Sequence, residues 1–214
     1  PQNSEFFINR LKNFNIPAVF VERRPDNIDV SFAGFDNQKT LCTITSALLE
    51  KGYKDIALFT GNSHFSSESD CIAGYKNAFQ SRGLSFFNPL IYETNMSKES
   101  AFKAAIANLC SQHVEAIIAT SENIASGILE MLHIFEIRIP DDVQLITLSE
   151  ESWNTSTKYP GVIHTSRTAY TMGQEAARLL AENIKSPVLF EEKTLTFSDS
   201  VPNLDRLLPK PSQF

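Results

Sequence analysis

Polar residues follow four apolar stretches of strand length in this chain, and their side chains could bind a small polar molecule. Carboxylates, hydroxyls and amides form the hydrogen bonds that such a ligand needs. In parallel α/β sheets, ligands bind just beyond the carboxyl ends of the strands. The four apolar stretches are 18–21, 55–60, 114–119 and 143–148. The polar or aromatic residues that follow them are Glu22, Asn62, Ser63, Phe65, Ser121, Glu122, Ser149 and Glu150.

Each of these residues alone is also explained by solvation of a loop, since strand ends are polar in any α/β protein. Four such clusters at one edge of a sheet favour a small-molecule pocket as the joint interpretation. Sequence motifs of catalysis and phosphate binding are absent, among them GxSxG, GxGxxG, a P-loop, HExxH and CxxC. The four histidines are scattered, which is more typical of surface residues than of a ligand set. The sequence therefore predicts binding without catalysis, with no cofactor and no metal.

Strands and helices alternate along the chain. The run 114–119 is apolar throughout, which is typical of a strand buried on both faces of a parallel sheet. From residue 123 the apolar spacing becomes helical. This alternation predicts an α/β fold with parallel sheets flanked by helices. Strands are predicted at 18–22, 30–32, 55–60, 90–92, 114–119, 143–149, 162–165 and 193–197, and helices at 3–13, 37–51, 69–81, 97–113, 123–135 and 168–185.

Composition and charge indicate an ordinary soluble domain. The 214 residues are 42% hydrophobic and 21% charged, so one large domain or two small ones can form a substantial core. A net charge of −6 gives no basic surface for a phosphate backbone. Three cysteines without CxxC spacing indicate reduced thiols and a cytoplasmic location. No run suits a membrane helix, and the start at Pro1 suggests a piece of a longer protein.

Six phrases, in order, resemble the effector-binding domain of LacI/GalR transcriptional regulators over residues 16 to about 198. They are IPAVFVERR, FDNQKTLCTITSALLEKGYKDIALFTG, IAGYKNAFQSRGL, IIATSENIASGILEML, IPDDVQLITLSEES and PGVIHTSRTAYTMGQEAARLL. The resemblance implies a two-lobed periplasmic-binding-protein-like fold of type I, with a sugar or related effector bound between the lobes. It also implies that a DNA-binding headpiece and the first strands of the N-terminal lobe lie outside this chain.

The same resemblance divides the chain into lobes and names effector-binding residues. Residues 1–33 and 162–186 would form a partial N-terminal lobe, and residues 34–161 and 187–214 the C-terminal lobe. The implied effector-binding residues are Glu22, Phe65, Cys71, Met96, Ser121, Glu122, Ser149, Glu150 and Arg167.

The departures from the family pattern concern the ligand. Cys71 stands where the family has a cleft arginine, and a thiol cannot form the paired hydrogen bonds of a guanidinium. Ser121 and Glu122 replace an Asn-Asp pair, and Ser149 and Glu150 replace an Asp-Asp pair. These changes argue against an ordinary hexose as the ligand. Arg167 stands where the family often has glutamine, and it could supply a replacement cation or serve only a surface role.

The helix after the run 114–119 carries two apolar stripes, although packing on one sheet requires only one. The second stripe consists of Gly127, Met131 and Ile134. Either a neighbouring helix of the same chain covers it or a partner does. The family favours the second alternative, because the corresponding helix belongs to its dimer interface, and the resemblance therefore implies a homodimer through these residues.

The sequence thus predicts the effector-sensing, dimerising domain of a bacterial LacI-type regulator. Such a protein is cytoplasmic, has no membrane partner, has no catalytic activity and binds operator DNA through a headpiece missing from this chain. A periplasmic sugar- or solute-binding protein of the same fold is the alternative, and a signal peptide in the complete gene would distinguish it. An α/β enzyme is a third possibility, for which the sequence offers no nucleophile, metal set or phosphate loop.

Overall fold

Two parallel β-sheets form the framework of the protein. The computed structural model describes residues 4–25, 29–84, 90–150, 159–185, 192–201, 204 and 207. Helices alternate with strands as the sequence predicts. The elements are α1 (Ser4–Asn13), β1 (Val19–Val21), β2 (Ser31–Phe35), α2 (Asn37–Glu50), β3 (Ile56–Thr60), α3 (Ser66–Gln80), β4 (Ile91–Glu93), α4 (Lys98–Leu109), β5 (Ala116–Ala119), α5 (Glu122–Ile134), β6 (Gln144–Thr147), β7 (Ile163–His164), α6 (Ala169–Lys185) and β8 (Thr194–Phe197).

The larger sheet has five strands in the order β4-β3-β5-β6-β7, all parallel. Its strands are buried on both faces because alternate side chains enter two different cores. Leu58 and Ile118 pack with α2 and α3 on one face. Phe59 and Ile117 pack with α4 and α5 on the other face. The sequence interpretation of this region as a doubly covered parallel sheet is confirmed.

The smaller sheet has three strands in the order β1-β2-β8, again all parallel. Helix α6 packs on this sheet, with Met172 and Ala176 against Ala33 and Phe35. Among the described residues, the chain passes between the two sheets after β2, after β7 and after β8.

The predicted lobe boundaries differ from this arrangement in three places. Gly34 and Phe35 belong to β2 of the smaller sheet, although residues 34–161 were assigned to the larger lobe. Strand β7 pairs with β6 in the larger sheet, so residues 162–186 do not all belong to the smaller one. Strand β8 pairs with β2, which contradicts the prediction for residues 194–197, whereas Leu204 and Leu207 do pack in the core of the larger sheet. Strand pairing is a long-range property, and a strand of this length does not encode which neighbour it joins.

The predicted dimer stripe on α5 is wrong for Gly127 and Met131. Helix α4 of the same chain covers both residues, and Met131 is fully buried in the core. The helices approach so closely that a Cβ at Gly127 would lie 2.2 Å from the carbonyl oxygen of Lys98. The glycine is needed for this contact. Ile134, at the end of the stripe, is exposed.

None of the helices that the structure describes combines the length and the apolar composition that crossing a bilayer requires.

Candidate functional site

A cavity of about 280 Å³ lies between the two sheets, at the carboxyl ends of their strands. Glu22 after β1 and Asn37 after β2 line it from the smaller sheet. Thr120 after β5 and Leu148 after β6 line it from the larger sheet. The strands within each sheet are parallel, and residues that follow strands of both sheets line the cavity, so the carboxyl ends of both sheets face this region. The volume is close to the lower end of the roughly 300–1,000 Å³ that is usual for ligand pockets.

The structure brings together eight of the nine residues that the sequence comparison singled out as effector-binding. Phe65 is the exception, since it does not line the cavity, and neither do Asn62 and Ser63. The ring of Phe65 instead lies 3.9 Å from the guanidinium of Arg23, which does line it. The eight lining residues are Glu22, Cys71, Met96, Ser121, Glu122, Ser149, Glu150 and Arg167.

Arg167 connects the three segments that pass between the sheets. It follows β7, and its Nη2 donates to Asn37 after β2 and, at 2.9 Å, to Asp199 after β8. Its guanidinium also lies 4.6 Å from the ring centre of Phe35, a favourable cation–π distance. The surface role that the sequence left open for Arg167 is excluded, because only 11% of its side chain is exposed.

Asp199 is the most deeply buried partner in this network. Its side chain has no exposed area, and its Oδ1 has no hydrogen-bond partner. A buried carboxylate requires a paired cation, and Arg167 supplies it through Oδ2. The pair therefore fixes the crossover after β8 against the crossover after β7.

Glu68 performs a similar role within the larger sheet. It lies in the first turn of α3 and is 4% exposed. Its Oε2 accepts hydrogen bonds from the hydroxyls of Thr60 and Thr120, at 2.6 and 2.9 Å, and from the amide of Gly61, at 3.0 Å. This one oxygen joins the end of β3 to the end of β5.

Glu22 is a poorly paired acidic group in the cavity. Its Oε2 is buried without a hydrogen-bond partner, and its Oε1 lies 3.7 Å from Nη1 of Arg167, longer than a hydrogen bond. Burial raises the pKa of Glu22, and the negative charges of Asp199 and Glu68 raise it further, against the lowering effect of Arg167. The ionised carboxylate is therefore held in an unfavourable place in the cavity.

We expect Glu22→Gln to raise the melting temperature at pH 7 and to leave it almost unchanged near pH 4. A carboxyl group whose pKa is higher in the folded state binds its proton more tightly there. It contributes stability below its unfolded pKa, near 4.5, and that contribution is lost as the pH rises through the folded pKa. Glutamine does not ionise, so the variant does not lose this stability as the pH rises. Thermal unfolding of both proteins from pH 4 to pH 8 measures the difference, and a gap that does not depend on pH would contradict the assignment.

The serines of the cavity are partly engaged in structure. Ser149 donates its hydroxyl to the carbonyl oxygen of Thr165 at 3.1 Å, which joins β6 to the segment after β7. Ser121 is the N-cap of α5 and accepts from the amide of Ile124. Glu122 accepts from the amide of Glu150 through Oε1 at 2.9 Å. Burial raises the pKa of Cys71 well above its usual value, so this thiol stays protonated and is no nucleophile.

Sequence reasoning missed several residues that line the cavity or support it. Asn37 and Asp199 follow strands β2 and β8, so the same strand-end argument would have found them if those strands had been placed in a sheet. Glu68 lies in the first turn of α3, where an acidic side chain is equally typical of a helix start. Its role depends on Thr120, which is 52 positions away, and no local signal indicates that contact.

One group of possible metal ligands occurs among the described residues, outside the cavity. Asp55, His113 and Glu115 bring ligand atoms within 4.8 Å of one another, at the amino ends of β3 and β5. Glu115 already accepts from the backbone amide of Lys54 at 2.6 Å. This hydrogen bond gives the carboxylate a structural role at the start of β3.

The fold and the position of the cavity define a class of protein, the periplasmic-binding-protein-like domains. The family described as "Periplasmic binding protein-like domain" matches residues 45–201, most of the chain. The chain belongs to this family, and its six phrases resemble the LacI/GalR type.

Individual relatives agree with this assignment. The chain is 28% identical over 192 residues to the probable HTH-type transcriptional regulator EndR of Paenibacillus polymyxa, covering 86% of this chain and 54% of that protein. It therefore spans about half the length of the curated relatives it matches.

Solved structures share the fold. A putative LacI transcriptional regulator from Bacillus cereus subsp. cytotoxis superposes with a TM-score of 0.84 at 22% identity, covering 92% of this chain and 70% of that one. A LacI-family regulator from Enterococcus faecium with bound ribose superposes with a TM-score of 0.80 at 18% identity, covering 92% and 73%.

Proposed function

We propose that this chain senses a small-molecule effector, of sugar-like polarity, in the cavity between its two sheets. The observation that carries the proposal is the convergence of the strand ends of both sheets on one cavity lined mostly by polar side chains. Hydrogen-bonding side chains from both sheets let a ligand bind to both at once. A ligand that contacts both favours one relative position of the sheets over others.

The whole protein is proposed to be a cytoplasmic, DNA-binding transcriptional regulator without catalytic activity. The curated relatives are transcriptional regulators, and the chain's net charge of −6 leaves DNA binding to residues outside it. The proposal includes a homodimer, whose interface does not involve the covered residues of α5. The effector would change the position of the DNA-binding parts through the segments that pass between the sheets.

A thermal-shift screen of the chain tests the sensing function. Ligands that bind only the folded state raise its melting temperature, by an amount that grows with concentration above the dissociation constant. The screen uses neutral sugars, amino sugars, uronic acids, sugar phosphates and nucleosides. Asn123→Trp fills the cavity from an exposed lining position and should abolish the shift, whereas Lys103→Trp on exposed helix surface should retain it. Absence of a shift with every compound class would contradict the proposed function.

A further inference from the structure

We propose that the cavity selects a polyhydroxylated ligand that carries a positive charge, such as an amino sugar, and rejects anionic ligands. This inference rests on the proposed function of the same cavity and adds the charge of the ligand. Four observations support it: the balance of charges, the engagement of both arginines, the unpaired carboxylate of Glu22 and the absence of aromatic rings from the described lining.

The charges that line the cavity are predominantly negative. Four carboxylates face two guanidiniums, which leaves an excess of two negative charges when all are ionised. The fully buried side chain of Asp199, behind Arg167, adds a further carboxylate next to the cavity. Inside a partly enclosed site such an imbalance is screened less than it would be in water. It attracts a cation and repels a phosphate or carboxylate.

Both arginines already have partners. Arg167 is shared between Asp199, Asn37 and the ring of Phe35. Arg23 stacks on Phe65 at 3.9 Å, and its Nη2 lies 3.1 Å from the sulfur of Met96. Donors remain on both guanidiniums, among them the buried Nε of Arg167, but an anion that reached them would also approach the surrounding carboxylates. Cys71 also lines the cavity, and its buried side chain is a thiol rather than a third cation.

Glu22 and Glu150 are the two lining carboxylates to which the structure records no hydrogen bond, and of the two only Glu22 has a buried oxygen without a partner. Glu68 has three donors on one oxygen, and Glu122 accepts from the Glu150 amide. Glu22 has only the 3.7 Å contact with Arg167 and a buried oxygen without a partner. About a third of its side chain is exposed, so the carboxylate can turn toward the cavity. A ligand ammonium would supply the missing donors as a charge-assisted hydrogen bond, roughly twice as strong as a neutral one.

The remaining lining suits hydroxyl groups better than an aromatic ring. No aromatic side chain lines the cavity among the residues that the structure describes, so stacking of a nucleobase has no platform there. Ser121 accepts one weak hydrogen bond, from the amide of Ile124 at 3.4 Å, and can still donate its hydroxyl proton. Asn123 is exposed at the cavity mouth and offers both an acceptor and donors.

Matched ligand pairs test the inference. Calorimetric titration of the chain would compare glucose with glucosamine, galactose with galactosamine, and both neutral sugars with their uronic acids and 6-phosphates. We expect the amine of at least one pair to bind about tenfold more tightly than its neutral partner, and the anionic members to bind more weakly than both. In Glu22→Gln the amine and its neutral partner should bind about equally tightly. Glu130→Gln, on exposed helix surface, should retain the preference for the amine.

The possible outcomes separate this inference from the proposed function. Neutral or anionic members that bind as tightly as the amines would overturn the charge preference and leave the sensing function intact. Binding of amines that Glu22→Gln does not weaken would overturn the role of Glu22. No heat and no thermal shift with any member would contradict both proposals.

Discussion

Replacing Arg167 with methionine is expected to lower the free energy of unfolding at pH 7 by about 3–5 kcal/mol. Methionine preserves much of the packing against Phe35 but removes the only cation within hydrogen-bond distance of Asp199 among the described residues. Asp199 would then be a buried charge without a partner. Urea unfolding followed by circular dichroism at pH 7 measures the effect.

Two further variants make this expectation specific to the buried pair. Arg178→Met removes an arginine of the same chain whose partners, Glu175 and Glu182, lie on the exposed face of α6, and no measurable change is expected. Adding Asp199→Asn to Arg167→Met should recover part of the stability, because the unpaired charge is gone. The role of the pair would be refuted if Arg167→Met were as stable as the unmodified protein.

The position of Arg167 also connects stability with ligand sensing. Its partners Asn37 and Asp199 lie on the two other described segments that pass between the sheets, and Glu22 is its contact in the cavity. A ligand ammonium near Glu22 would compete for the carboxylate that now faces Arg167. Such competition acts at the point where a change in the angle between the sheets must bend the chain.

Much of the fold could be predicted because its signals are local. The apolar run before α5 and the change to helical spacing at its start lie within about twenty residues. Gly52, with φ of 92° just after α2, has the left-handed backbone in which a glycine commonly ends a helix. The strand-end argument led to Ser121, Glu122, Ser149 and Glu150, which line the cavity, since it requires only that parallel strands end at one edge; their binding of an effector stays a prediction.

What the sequence could not provide depends on contacts between distant segments. Strand β8 joins β2 across roughly 160 positions, and therefore neither the lobe boundaries nor Asp199 could be placed. The second stripe of α5 has the same composition whether a partner or α4 covers it. Only the close approach of Lys98 to Gly127 decides for α4.

Glu68→Ala is expected to lower the free energy of unfolding by about 3 kcal/mol. Three donors lose their acceptor together, the hydroxyls of Thr60 and Thr120 and the amide of Gly61. Unpaired buried donors cost more than the net value of the bonds they made. Glu68→Gln should lose less, because its amide oxygen can still accept from two of these donors. Urea unfolding at pH 7 compares the three proteins.

Glu99→Ala is the matched control, because Glu99 also lies in the first turn of a helix but is exposed, with Lys103 as its partner. No measurable change is expected there. If Glu68→Ala were as stable as the Glu99 variant, the oxygen of Glu68 would not hold β3 and β5 together at the cavity.

If Glu68→Gln lost as much stability as Glu68→Ala, the negative charge rather than the number of hydrogen bonds would be essential. A neutral glutamine that kept the fold would also leave the cavity with one carboxylate fewer, so the amine preference should weaken in this variant even though Glu22 is intact.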